Sequence, residues 1–226
     1  PLIGCGTLSS ALCMDKARAH ALARDAHINV PGFITANIQT SAQELSKRAA
    51  ELEYPIYVKP VKAGSSFGIS RITSPEQLPQ AAEKAFEFDN EITLEEEIPG
   101  REVGCAVLGA EKLILGRVDL IQSPGLFDYN EKYNPKESKI YMPAPIAPEL
   151  EERIQQTAAV LYRLLGCSGF ARVDMFLTPQ NQIVFNEINT IPGLTAHSRF
   201  PNMMKGAGLE LKEVMRVLIE LSLKNE

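Results

Sequence analysis

The stretch ARVDMFLTPQNQIVFNEIN, residues 171–189, constrains the fold most tightly. Two runs of alternating, strand-favouring residues flank Pro179-Gln180-Asn181-Gln182, the pattern of a β-hairpin. If those four residues form an even-length turn, residue 178 faces residue 183, and Asp174 faces Glu187. Alternation then puts Arg172 and Asp174 on one face of the first strand, and Glu187 and Asn189 on the matching face of the second. Like charges directly opposed across a strand pair are destabilising, and more so out of water. A divalent cation between them resolves the conflict. Two carboxylates and an amide oxygen make a hard, oxygen-only donor set of the kind Mg²⁺ takes. Other readings stay open at this point: both acids face solvent, Arg172 neutralises them, or an odd-length turn separates them.

The rest of the composition narrows the context. With 226 residues and 45% hydrophobic content, one or two packed domains are expected. A net charge of −5, with Lys and Arg scattered among acids, gives no footprint for a phosphate backbone, so nucleic acid is not an expected partner. No apolar run reaches the ~18 residues of a membrane span, and the start PLIGCGTLSS does not read as a signal peptide; a cytoplasmic protein with no membrane partner is expected. Cys5, Cys13, Cys105 and Cys167 are dispersed without a CxxC pair and read as buried or idle thiols. His20, His27 and His197 are equally scattered, so zinc has no support and any metal would be held by oxygen.

Along the chain, a helix is expected from Ser10 to the Pro31-Gly32 break. A second begins at Ser41, with Glu44 at capping-box spacing, and a third opens at Ser74-Pro75-Glu76-Gln77. Between them YPIYVKP reads as a strand. EITLEEE, REVGCAVLG and KLILGRVDLI read as further strands broken at Pro99-Gly100. The Pro-rich segment after Ile121 reads as a long loop. A helix from Pro148 turns Leu150, Ile154, Ala158, Leu161 and Leu165 inward and stops at Gly166. After the hairpin, TIPGLTAHSRFP reads as a loop, and a last helix starts near Leu209. The order of elements predicts an α+β fold in two lobes, divided near residues 95–101.

A second cluster of chemistry lies in KPVKAGSSFG, where Lys59 ends a strand and Gly64, Ser65, Ser66 and Gly68 follow. Glycines let backbone approach a ligand, and successive N–H groups can cradle phosphate oxygens. The pattern is neither GxxxxGK[ST] nor GxGxxG, and a plain turn explains it equally well by itself. Lys16, Lys59 and Lys132 could share a phosphate's charge. Glu95, Glu96 and Glu97 lie at the lobe junction, where a strand edge can offer backbone groups to a base.

Taken together, RVDMF, NEINTIPG, KPVKAGSSFG, CMDK and EKY resemble, in order and spacing, the D-Ala:D-Ala ligase family of ATP-grasp enzymes. The likeness covers essentially the whole chain and is strongest to the D-Ala:D-Ser ligases of the vancomycin-resistance branch. It implies an ATP-grasp fold with nucleotide between two lobes: residues 1–13 a linker from an N-terminal domain not in this sequence, 14–95 a central lobe, and 96–226 a C-terminal lobe with metal site and lid loop. It further implies that Asp174, Glu187 and Asn189 hold two Mg²⁺ ions, with Mn²⁺ able to substitute, against ATP. Lys16, Lys59 and Lys132 would contact phosphates, the backbone from Glu95 and Glu96 to Ile98 would meet adenine, and Glu102 would bind ribose.

In the family's chemistry an acyl phosphate of D-alanine is attacked by a second D-amino acid. Arg172 and the Gly193 N–H would meet the oxyanion, Ser198 would hold the second substrate's carboxylate, and Tyr133 with Lys132 at the lid tip would reach Ser65. Arg199 stands where D-Ala:D-Ala ligases carry an apolar residue, and a guanidinium can donate to a substrate hydroxyl. With EKY retained, D-serine is favoured over D-alanine and D-lactate as second substrate. The expected partners are therefore D-Ala, D-Ser and ATP, and the resemblance leaves a homodimer open. Glu96 stands where many relatives have Lys, which matters little if adenine is read through backbone.

Overall fold

The computed structural model describes residues 3–64, 66–122 and 139–224. Helices α1 (Thr7–Met14) and α2 (Lys16–Asp25) replace the single helix expected from Ser10. The break is Asp15, whose carboxylate accepts the Arg18 N–H at 2.9 Å and so caps α2. Residues 7–13 are thus helix rather than linker. Cys13, Ala19 and Ala23 pack into the same core as Tyr162 and Phe185, so α1 and α2 lie on the larger lobe, not on the central lobe assigned from residue 14.

The smaller lobe comprises β1 (Phe33–Asn37), α3 (Ala42–Ala49), β2 (Ile56–Pro60), β3 (Ser70–Ile72), α4 (Leu78–Phe86) and β4 (Glu91–Glu96). Its sheet is antiparallel in the order β1-β4-β2-β3. Ile56, Val58, Ile92 and Leu94 point from the sheet onto Leu45, Leu78 and Ala85 of the two helices. Both capping signals are realised: Ser41 Oγ accepts the Glu44 N–H at 3.2 Å, and Gln77 Oε1 accepts the Ser74 N–H at 3.3 Å.

After four residues the chain enters the larger lobe: β5 (Arg101–Gly109), β6 (Leu113–Gln122), β7 (Lys139–Tyr141), α5 (Pro148–Leu164), β8 (Gly169–Leu177), β9 (Ile183–Asn189), α6 (Arg199–Gly206) and α7 (Leu211–Lys224). The antiparallel order is β7-β6-β5-β8-β9. One face packs under α5, α1 and α2; the other packs under α6 and α7 through Ala106, Leu108, Phe200, Met203 and Leu218. Burial on both faces explains why β5 reads as an almost unbroken apolar run from Val103 to Leu108. Helix α6 falls where a loop was expected, because Pro201 sits in its first turn, where no intrahelical N–H is lost. Among the described residues no helix is long and apolar enough to cross a membrane.

The hairpin reaches the expected pairing by an unexpected route. Leu177 pairs with Ile183, and Thr178 N–H donates to the Gln182 carbonyl at 3.0 Å, so the loop holds the odd number of residues 179–181. Thr178 O accepts the Asn181 N–H at 2.9 Å, and Asn181 adopts φ +58°, a three-residue hairpin loop closed by a left-handed residue. Carried on unchanged, that register would leave Asp174 opposite Asn186 and turn Glu187 to the other face. A β-bulge between Asp174 and Met175 takes up Asn186 as an extra residue and returns Asp174 to Glu187, and Arg172 to Asn189.

Candidate active site between the lobes

A cavity of about 570 Å³ opens between the two sheets. Lys16, Lys59, Glu95, Glu96, Ile98, Glu102 and Glu187 all line it, so seven of the expected site residues converge there. Lys16 spans the junction: its Nζ donates to Ala63 O of the glycine-rich loop at 2.9 Å and lies 3.8 Å from Glu187 Oε2. Lys59 Nζ donates to Glu95 Oε2 at 2.6 Å. Burial would raise the Glu95 carboxyl, but the Lys59 ammonium overcomes this and holds it below the usual carboxylate range. Glu96, which also lines the cavity, turns its carboxylate to the Glu53 N–H at 2.9 Å. In the glycine-rich loop Gly68 adopts φ +71°, and a Cβ there would press on Phe88 and Pro60, so this glycine is needed for packing. Ser65, Lys132 and Tyr133 lie outside the described residues.

The hairpin acids extend into a row across the large sheet. Asp119 of β6 pairs with Gly104 of β5, Gly104 with Asp174 of β8, and Asp174 with Glu187 of β9, so three carboxylates and one glycine share a face in register. Arg199 fills the gap above the glycine. Its Nε and Nη2 donate to the two Asp119 oxygens at 2.7 and 2.8 Å, Nη1 donates to Glu102 at 3.1 Å, and Nη2 lies 3.3 Å from Asp174 Oδ1. Burial would drive off its proton, but Asp174, Asp119 and Glu102 hold the guanidinium firmly charged. A Cβ on Gly104 would overlap Arg199 Nη2 and come within 2.8 Å of Asp119 and 2.9 Å of Asp174. Arg199 is therefore not the open fork that its substrate-reading role implied: three hydrogen bonds and the ion pair with Asp174 engage all three of its nitrogens.

Arg172 closes on Asp174 from its own strand, with Nε at 2.8 Å and Nη2 at 2.7 Å. The reading in which arginine neutralises the acid thus describes this structure. Glu102, Asp119, Asp174 and Glu187 give four negative charges against three positive ones on Arg172, Arg199 and Lys16, a formal excess of one anion within this group. The donor chemistry fits Mg²⁺: oxygen ligands on one face, Glu187 at the cavity wall, and Asn189 two residues on. Among the described residues no three His, Cys, Asp or Glu side chains form a ready metal cage. Mg²⁺ does not need one, since it is usually held by one or two carboxylates plus phosphate oxygens and water. Asn189 Oδ1 also accepts the Ile191 N–H at 3.1 Å, which turns the chain out of β9.

The substrate-side residues meet just beyond. Ser198 precedes α6, its Oγ accepts the Thr195 N–H at 3.2 Å, and a Cβ on Gly193 would sit 2.6 Å from that oxygen. Gly193 and Ser198 are therefore neighbours. Three residues escaped the sequence reading: Asp119, Gly104 and His20. The signal for Asp119 was a lone acid inside the apolar run LILGRVDLI. His20 is buried between Phe33 and Phe185, and its Nε2 lies 2.7 Å from the carbonyl of the bulged Asn186. That contact makes Nε2 the donor and turns the bare Nδ1 toward Glu95 Oε1, 3.9 Å away; among the described residues neither atom has a hydrogen-bond partner.

A small antiparallel lobe facing a larger antiparallel sheet across a lysine-lined cleft is the ATP-grasp architecture, and three comparisons narrow it. The family model described as D-ala D-ala ligase C-terminus matches residues 22–220, and the chain belongs to that family. The crystal structure of VanG D-Ala:D-Ser ligase from Enterococcus faecalis superposes with a TM-score of 0.91 at 56% identity, over 98% of this chain and 65% of that one. The vancomycin/teicoplanin A-type resistance protein VanA of Enterococcus faecium is 42% identical over 99% of this chain and 66% of its own length. D-alanine–D-alanine ligase A of Escherichia coli K12 is 41% identical over 99% and 62%. The chain thus spans somewhat less than two thirds of these relatives.

Two outcomes test the site. Gly104→Ala should cost about 1–3 kcal/mol in urea denaturation, because the methyl must displace a guanidinium locked between carboxylates. Burial lowers the His20 pKa despite the opposing charge of Glu95. The unfolded chain then binds the extra proton near its ordinary value of about 6.5, so stability falls as pH drops from about 7.5 to 5.5. His20→Phe should flatten that part of the urea-midpoint profile.

Proposed function

We propose that this chain is the nucleotide-binding and catalytic part of an ATP- and Mg²⁺-dependent ligase that joins D-alanine to a second D-amino acid, D-serine by preference. The product would enter modified cell-wall precursors and confer vancomycin resistance. The observation that carries the reading is the row of acids leading to Glu187 at the wall of a cavity that Lys16 and Lys59 also line.

In this reading ATP lies in the cavity, with adenine along the backbone of residues 95–98, ribose at Glu102, and phosphates toward Lys16, Lys59 and, from the lid, Lys132. Asp174, Glu187 and Asn189 are the residues that would hold Mg²⁺; bound there it would neutralise phosphate charge during phosphoryl transfer. A carboxylate oxygen of the first D-alanine takes the γ-phosphoryl group, ADP leaves, and the amine of the second substrate displaces phosphate from the acyl carbon. Arg172, which holds Asp174 in this structure, would meet the oxyanion beside the Gly193 N–H. Ser198 holds the second substrate's carboxylate. Tyr133 and Ser65 complete the closed site, which shields the acyl phosphate from water.

The preference for D-serine rests on Arg199, held in place by Asp119. Nη1, which donates one N–H to Glu102, carries a second N–H that a hydroxyl would use, and an apolar residue would leave that hydroxyl unpaired. The likeness to a D-Ala:D-Ser ligase at 56% identity supports this choice.

Calorimetric titration of ATP with and without Mg²⁺ tests the reading. Asp174→Ala and Glu187→Ala should each remove the Mg²⁺-dependent gain in affinity, whereas retained gain contradicts the assignment. With the flanking region of the full-length protein present, Arg199→Leu should shift dipeptide formation from D-Ser toward D-Ala. Equal loss of both activities would make Arg199 purely structural.

A further inference from the structure

The four cysteines, dispersed in sequence, are not dispersed in space. Cys13 near the end of α1 and Cys167, two residues before β8, bring their sulfur atoms to 3.6 Å across 154 positions of the chain. Ser9, one turn earlier on α1, donates its hydroxyl to Cys167 Sγ at 3.5 Å. Cys5 approaches from the other side, but its thiol is directed at the Ser168 carbonyl, 3.4 Å away. Cys105 is remote in the sheet, with its thiol near the Gly116 carbonyl at 3.8 Å.

We propose that Cys13 and Cys167 are an oxidation site: a peroxide converts the pair to an intrachain disulfide that staples α1 to the entrance of β8. The Cys13 thiolate attacks the O–O bond of hydrogen peroxide, forming a sulfenic acid and releasing hydroxide, which takes a proton to become water. Cys167 sulfur then attacks the Cys13 sulfur, the S–O bond breaks, and the departing hydroxide is protonated by the Cys167 thiol proton. Two thiols are oxidised by two electrons and the peroxide is reduced to two waters.

The geometry distinguishes the partners. The sulfur atoms must close from 3.6 Å to about 2.05 Å, a movement that the junction of α1 and α2 can take up at Asp15, where the backbone is extended rather than helical. Either sulfur can donate across this contact, which lowers the Cys13 pKa and raises that of Cys167 and so favours Cys13 as the attacking thiol. Cys5 is pushed well above the thiol range by its hydrogen bond with Cys167 and by burial, which keeps it reduced.

The test treats the folded chain with hydrogen peroxide, blocks remaining thiols with N-ethylmaleimide, and maps peptides by tandem mass spectrometry after chymotryptic cleavage between Cys5 and Cys13. The expected result is a Cys13–Cys167 link that dithiothreitol reverses, with Cys5 and Cys105 alkylated, and an upward shift in Tm because a long loop is closed. Cys167→Ser should stop the reaction at a sulfenic acid on Cys13, trapped by dimedone. A Cys5–Cys167 link, or four alkylated thiols under conditions that fully oxidise free cysteine in the same solution, would overturn the proposal. The wild-type map alone decides between these outcomes if the variant fails to fold.

Discussion

The guanidinium of Arg199 over Gly104 is the interaction on which the rest of the large lobe depends. Without it, Asp119, Asp174 and Glu102 would be like charges gathered on the buried face of a sheet, an arrangement whose desolvation cost is several kcal/mol per ion. Only a residue without a side chain leaves room for the guanidinium between the two aspartates. The same contact ties α6, and with it Ser198, to the strands that carry Asp174. A structural ion cluster and the loop that ends at Ser198 are therefore one unit.

The chemistry across the cleft follows from how that cluster is balanced. The arginines and Lys16 nearly cancel the acids but leave one formal negative charge, and Glu187 sits where the row reaches the cavity. Arg172 closes on Asp174 from its own strand, so one acid of the facing pair is already neutralised while Glu187 is left to Lys16. Glu95 and Lys59 form a second, closed pair on the opposite wall, which keeps a charged lysine poised in a buried position.

Much of this was legible from residue order. Caps at Ser41 and Ser74, the Gly166 stop and the alternation of residues 171–189 report local physics, and the structure follows them. The facing of Asp174 and Glu187 was read correctly from a wrong turn length, because an odd loop and a bulge at Asn186 cancel. A second bulge between Cys105 and Val107 sets which face Asp119 takes. Bulges of this kind depend on tertiary partners, here the His20 contact to Asn186 O, and leave no local mark. Helix α6 was missed because Pro201 reads as a breaker unless its place in the first turn is known. The convergence of Cys5, Cys13 and Cys167 was invisible for the same reason: it is a property of packing, not of spacing.

Crystals grown with Mn²⁺ and a non-hydrolysable ATP analogue, measured for anomalous scattering at the manganese edge, test the central claim most directly. The account predicts a peak within bonding distance of Asp174 and Glu187, with the Arg172 guanidinium moved off Asp174. Bound nucleotide with no manganese between those two carboxylates, and Arg172 still closed on Asp174, would contradict it.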